Sequence, residues 1–119
     1  MARAINDDIS YKGSTIIVGV KFPKIDNLYS FATLLNAGNI KVEYYVINTN
    51  TYYDVTNSLY RILPSDDSDY DNEYAFTVNT STLHTGVLMV KCTATIPAHG
   101  TLPQRTEIAK CSTGIAIIE

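Results

Sequence analysis

Apolar and polar residues alternate along most of this chain. From Leu88 to Ile96, every second residue is apolar (Leu88, Val90, Cys92, Ala94, Ile96), with Lys91, Thr93 and Thr95 between them. Side chains on a strand point alternately to two faces, so this period of two predicts a half-buried strand. A loop with Pro97, Gly100 and Pro103 follows, and the chain returns through Arg105 to Cys111 and ends on Ile115–Ile118. The same alternation places Ile16, Val18, Val20 and Phe22 on one face of a strand over 14–22, ended by Pro23. It puts Ile40, Val42, Tyr44 and Val46 on one face of a strand over 40–47. Asn48-Thr49-Asn50-Thr51 is turn chemistry, because Asn tolerates positive φ, and 52–56 returns as the partner strand. Shorter strands are expected over 59–63, cut by Pro64, and over 73–79, with a tight turn at 81–85. Only 26–38 breaks the pattern. There Leu28, Phe31, Leu34 and Leu35 fall on one helical stripe, with Asp26 placed to cap the start and Gly38 to close the end.

About seven strands and one short helix predict an all-β protein, an antiparallel sandwich of two packed sheets. A hairpin buries only one face of itself, so each sheet needs the other. The expected core contains Val18, Val20, Val42, Tyr44, Phe76, Val90, Cys92 and Ile108. Residues 1–12 are polar, with Ile5, Ile9 and Tyr11 as the only anchors. They read as an N-terminal arm outside a domain spanning 13–119, ordered where it meets a partner.

Composition narrows the function more than the fold. The 119 residues suffice for one domain. Nine Lys and Arg stand against 12 Asp and Glu, a net charge of -3. That balance argues against nucleic acid or an anionic membrane as partner. Charged residues are only 18%, below the roughly 25% usual for soluble domains. Thr, Asn, Ser and nine Tyr take up the difference, and Tyr suits interfaces because its ring offers area with a polar tip. No apolar run approaches the ~18 residues of a membrane span, and no signal-peptide core is seen. The expectation is a chain made in a cytosol, with Cys92 and Cys111 as reduced core thiols. A register that sets 92 opposite 111 would allow a bridge.

The chemistry-bearing residues do not assemble into a catalytic pattern. In the acidic stretch 66–73, Asp67, Asp69 and Asp71 fall at the first, third and fifth positions of a calcium loop. Asn72 stands where glycine is wanted, however, and Val78 where the bidentate glutamate belongs. His84 and His99 lack partners at zinc spacing, and no nucleophile elbow, phosphate loop or dinucleotide fingerprint is present. The expectation is no enzyme, no metal and no cofactor. The remaining candidates are contact residues: Ile5, Ile9 and Tyr11 on the arm, and Tyr45, Tyr52 and Tyr53 around the 40–56 hairpin. By alternation, half of the hairpin tyrosines should face the core.

Several short stretches carry a resemblance. They are Tyr11-Lys12-Gly13-Ser14, the IKVEYYV of Ile40–Val46, Ser81-Thr82-Leu83 with Gly86, Ile96-Pro97, Arg105-Thr106-Glu107, and Thr113-Gly114-Ile115-Ala116-Ile117. Together they resemble the small immunoglobulin-like domains of virion proteins in tailed bacteriophages. The relatives in view are the amino-terminal domains of baseplate upper proteins and the head-fibre or auxiliary capsid proteins of crAss-like phages of Bacteroides. The helical 26–38 segment departs from that pattern. The resemblance implies a structural virion protein, a head-fibre or capsid decoration subunit. It would be a homo-oligomer bound to other virion proteins, assembled in the bacterial cytoplasm and located in the virion. A sugar- or surface-binding module built on the hairpin tyrosines is the alternative.

Overall fold

The longest alternating runs become the strands that carry the fold. The computed structural model describes residues 3–4, 8–23, 29–64 and 70–119. Its elements in order are β1 (Arg3–Ala4), β2 (Asp8–Tyr11), β3 (Thr15–Pro23), α1 (Phe31–Asn36), β4 (Ile40–Val46) and β5 (Tyr53–Asp54). They continue with β6 (Tyr60–Pro64), β7 (Tyr70–Asn79), β8 (Gly86–Ile96) and β9 (Arg105–Ile118). Among the described residues they form a four-stranded sheet, β1-β3-β7-β6, and a five-stranded sheet, β2-β9-β8-β4-β5. The pairings are antiparallel except β2 with β9, which is parallel. This is an all-β sandwich, with the strand order of the immunoglobulin-like fold and no disulfide joining its sheets.

The inner faces supply the core. Val18, Val20, Val42, Tyr44, Phe76, Val90 and Cys92 are all buried in it, as their alternation requires. Ile108 corrects the expected set: it pairs with Thr93 on the outer face and is 59% exposed. The phase of β9 could not be taken from its apolar residues alone, because its first half carries few.

The first residues are the second correction. Residues 8–11, expected within an arm, form a strand whose pairs run Asp8–Ile115 to Tyr11–Ile118. Residues 3–4 pair with Lys21 and Val20. A strand is recruited to an edge through its main chain, so the segment needs few apolar side chains to join the sandwich. Between β2 and β3 the chain crosses from one sheet to the other, and the crossing is pinned at both sides. Lys12 N–H donates to Ile118 O at 2.7 Å. Gly13 N–H donates to the hydroxyl of fully buried Thr80 at 3.0 Å, and that hydroxyl donates to Ser14 O at 2.7 Å.

Local chemistry explains the remaining boundaries. The helix is shorter than expected, and its cap is Ser30, whose Oγ accepts from Thr33 N–H at 3.0 Å. Asp26, the expected cap, and Leu28 lie outside the described residues. At the other end Asn39 N–H reaches Leu34 O and Gly38 N–H reaches Leu35 O, with Gly38 at φ 78. This closing motif needs a left-handed residue, hence glycine. Asn48 takes φ 66 in its turn, as expected of Asn there. The strand expected over 52–56 is only β5. Asp54 accepts from Thr56 N–H at 2.8 Å and turns the chain into a 3-10 turn at Thr56–Ser58.

The hairpin of β8 and β9 contains an irregularity that decides where its cysteines go. Val87 pairs with Ala116 and Met89 with Ser112, so Thr113, Gly114 and Ile115 together lie opposite Leu88. Buried Thr113 donates its hydroxyl to Leu88 O at 2.8 Å and accepts from Ile115 N–H at 3.1 Å, with Gly114 at φ 78. Two extra residues are an even number. The alternation therefore survives, and Thr113, Ile115 and Ile117 stay buried. Cys92 consequently faces Ala109, and Cys111 faces Val90. The two thiols are free diagonal neighbours on one face, and such positions are roughly 7–8 Å apart, too far for an unstrained bridge.

Candidate binding surface

The outer face of the five-stranded sheet is where most of the expected contact residues meet. One row crosses β2, β9 and β8 and reaches the residue just past β4: Ile9 pairs with Ala116, Ala116 with Val87, and Ile47 N–H bonds to Val87 O at 2.9 Å. All four side chains are apolar, Ile9 is 59% exposed and Ile47 is 42% exposed. Tyr11, 64% exposed, pairs with Ile118 in the next outward row. A contiguous exposed apolar row on a sheet face is the usual mark of an interaction surface. Ile5 lies outside the described residues.

Next to this row, toward the centre of the face, sits an aromatic and cationic cluster. Tyr45 and Tyr52 have ring centroids 4.9 Å apart at 52°. Lys91 Nζ lies 4.7 Å from the centre of the Tyr52 ring, and Lys110 Nζ 5.7 Å from that of Tyr45. Tyr45 is buried beneath these neighbours although it points outward. Burial pushes its hydroxyl pKa up, against the opposing pull of Lys110. Tyr53, expected as an exposed contact, instead turns inward and stacks on Tyr44 at 4.9 Å and 12°. The structure thus brings Ile9, Tyr11, Tyr45 and Tyr52 to one face and removes Tyr53 from it. Sequence reasoning missed Ile47, Val87 and Ala116. Their signal was present, as apolar residues on the outward phase of β8 and β9 and just past the end of β4, but it acquires meaning only once the strand order is known.

The polar candidates are dispersed. His84 precedes β8 and His99 follows it, so the eleven residues of that strand separate them. Burial raises the Cys92 thiol to about 12 and also pushes Cys111 up, opposite to the shift that activates a nucleophilic cysteine. Of the acidic stretch, residues 65–69 lie outside the described residues, while Asp71, Asn72 and Glu73 belong to β7. That stretch joins two strands, not two helices. Among the described residues no three His, Cys, Asp or Glu gather as metal ligands, and no helix is long and apolar enough to cross a membrane.

One concavity lies at the end of the sandwich where the 48–52 and 81–85 turns meet. It is a cleft of about 170 Å³ lined by Val46, Thr49, Thr51, Tyr53, Thr82, Leu83 and His84. No protein-family model, curated protein or solved structure matches the chain.

Proposed function

We propose that this chain is a structural, non-catalytic subunit of a tailed-bacteriophage particle. In this reading it is a head-fibre or capsid decoration protein that binds other virion proteins through the outer face of its five-stranded sheet. The observation that carries the proposal is the apolar row Ile9–Ala116–Val87–Ile47, exposed at both ends on a sheet face with no second layer above it among the described residues. Water-exposed apolar rows are costly in an isolated domain and are relieved by a partner surface. The nearby tyrosines and lysines add contacts suited to an interface. The phage context itself comes from the short sequence resemblances.

The test uses purified particles. The chain should appear in them at fixed stoichiometry, and Ile9→Glu with Ile47→Glu should fold normally yet be left out of assembled particles. Absence of the chain from particles ends the phage reading. Normal incorporation of the double variant moves the contact to another face.

A second reading, a carbohydrate- or surface-binding module, is favoured by the cleft. Thr49, Thr51, Thr82 and Tyr53 bring hydroxyls to it, and His84 adds a ring. Binding of the isolated chain to a glycan array, lost in Thr51→Val with Thr82→Val, would support that reading over the first.

A further inference from the structure

The irregularity in the β8–β9 hairpin separates two registers, and the two cysteines would meet in the one they do not occupy. On one side of it Gly86 pairs with Ile117 and Val87 with Ala116, and on the other Met89 pairs with Ser112 and Val90 with Cys111. If the first register ran on unbroken, Leu88 would face Ile115, Val90 would face Thr113 and Cys92 would face Cys111. Residues directly opposite on antiparallel strands have Cα atoms about 4.5–5.5 Å apart, inside the range that a disulfide spans. Reaching that register takes a slide of β9 by two residues, about 7 Å, toward the hairpin tip. Because the step is two residues, every side chain keeps its face, and Cys111 stays on the inner one.

The segment that slides is lightly held. None of residues 105–112 is buried, whereas Thr113, Ile115 and Ile117 are. Among the described residues, 105–112 take their main-chain pairs from β8. The pairs of β2 with Ile115–Ile118 are left in place, and β1, which lies against β9, is paired to β3. The inward places that change hands carry small side chains: Thr113 takes that of Cys111, and Cys111 that of Ala109. Such changes of volume are small enough for a core to absorb. The two extra residues pass into the 97–104 loop, and a slightly longer loop costs little. The slide also parts Lys91 from Lys110, which now stand directly opposite each other, a like-charge pairing that costs stability. Other contacts hold the present register. Thr113 bonds to Leu88 O and Ile115 N–H, Gly114 sits at φ 78 with its N–H on the Ser112 hydroxyl at 3.0 Å, and Lys110 lies over Tyr45.

We propose that Cys92 and Cys111 are a redox modification site: a small disulfide such as oxidised glutathione links them, and the link holds β9 in the second register. Cys111 is the less buried thiol, so its thiolate attacks one sulfur of the small disulfide and expels the first small thiolate. Once β9 has slid, the Cys92 thiolate attacks the Cys111 sulfur and expels the second. Two electrons pass from the cysteine pair to the small disulfide, and the two cysteine protons end on the two thiols released. The reduced chain returns to the present register, because the contacts of Thr113 and Gly114 re-form there. The link thereby carries the state of two inward thiols to the outer face, where Lys110 leaves Tyr45 and comes opposite Thr93. This inference holds whether or not the chain belongs to a phage particle.

Equilibration of the intact, folded chain with mixtures of reduced and oxidised glutathione tests it, read by alkylation and mass spectrometry. The expected product has lost two hydrogens and yields a peptide linked through Cys92 and Cys111. Nuclear magnetic resonance reads the register. Thr95 donates its N–H to Asn39 O at 2.8 Å, on the β4 side of β8. By alternation Lys91 and Val87 also bond toward β4, and their pairs with β9 are the close, non-hydrogen-bonded kind. The Hα contact of Lys91 with Lys110 should give way to one with Ser112 in the linked chain, while that of Val87 with Ala116 persists. Gly114→Ala and Thr113→Val each remove a contact made only in the present register. Each should raise the ratio of linked to reduced chain, at a fixed glutathione mixture, by roughly fivefold or more. A folded chain that gives only mixed disulfides, or no reaction, overturns the proposal. So does a Cys92–Cys111 link with the Lys91–Lys110 contact unchanged. If Gly114→Ala does not fold, Thr113→Val decides, and an unchanged ratio in that variant overturns the proposal.

Discussion

Two aromatic clusters of the molecule, one inside and one outside the sandwich, are built from the same kinds of residue and used in opposite ways. In the core, Phe22 and Phe31 stack with centroids 3.9 Å apart at 10°, and Tyr74 closes on Phe31 at 5.0 Å and 58°. These rings join the helix to the four-stranded sheet. On the outer face of the other sheet, Tyr45 and Tyr52 lean together at 4.9 Å under Lys91 and Lys110. The difference follows from phase. Phe22 and Tyr74 lie on inward positions of β3 and β7, whereas Tyr45 lies one residue off the inward Tyr44 of β4. A one-residue change of phase turns a core ring into a surface ring. The inner cluster gains by exclusion of water. The outer one keeps a wet side, where lysine stems and cation–π contacts cover part of the rings.

Substitutions separate the two. Phe31→Ala should be the most damaging, costing about 3–5 kcal/mol through the cavity it leaves, read as a lower denaturant midpoint. A cost near that of a surface change would mean that the helix is not part of the core. Cys92→Ala, on the inner face but outside the ring cluster, should cost about 1–2 kcal/mol at neutral pH through lost packing.

The same substitution changes the alkaline limb. The Cys92 thiol ionises near 9.0 when unperturbed and is pushed up to about 12 by burial. The unfolded chain therefore loses its proton first, and stability falls as pH rises from about 9 toward 12. The slope is about 1.4 kcal/mol per pH unit from this group. Cys92→Ala should flatten that limb, leaving the smaller contributions of Cys111, Tyr44 and Tyr45, which burial raises in the same direction. An unchanged pH profile would show that Cys92 is not buried.

Tyr45→Ala should cost about 1–2 kcal/mol, between core and surface values, because the ring is buried yet faces outward. Tyr52→Ala should be the mildest, below about 1 kcal/mol. A loss from Tyr52→Ala as large as that from Phe31→Ala would make the outer cluster a second core and erase the contrast.

Much of the sandwich was legible from residues alone. Strands β3, β4, β7 and β8 alternate cleanly because one face of each meets the other sheet, and burial imposes that pattern directly on sequence. Turns were legible for a different reason: Asn48 and Gly38 occupy positive φ, which few other residues tolerate. Of the candidate surface, Ile9, Tyr11, Tyr45 and Tyr52 were readable as contact residues, but not as members of one face.

Tertiary structure decided the rest, wherever the energy came from groups that every residue shares. β1 and β2 are two and four residues long, too short for a periodic signal, and they join through main-chain bonds that carry no side-chain signature. The offset of Cys92 from Cys111 depends on two extra residues at Thr113–Ile115, which leave the alternation unchanged and so leave no trace in the apolar pattern. Ile108 looked like a core residue because it is apolar. Its face was set by the register with Thr93, and register depends on where distant strands align as well as on what any one strand contains. Local composition chose the strands, and long-range backbone pairing chose their neighbours, because hydrophobic alternation specifies a face while a hydrogen bond specifies a partner.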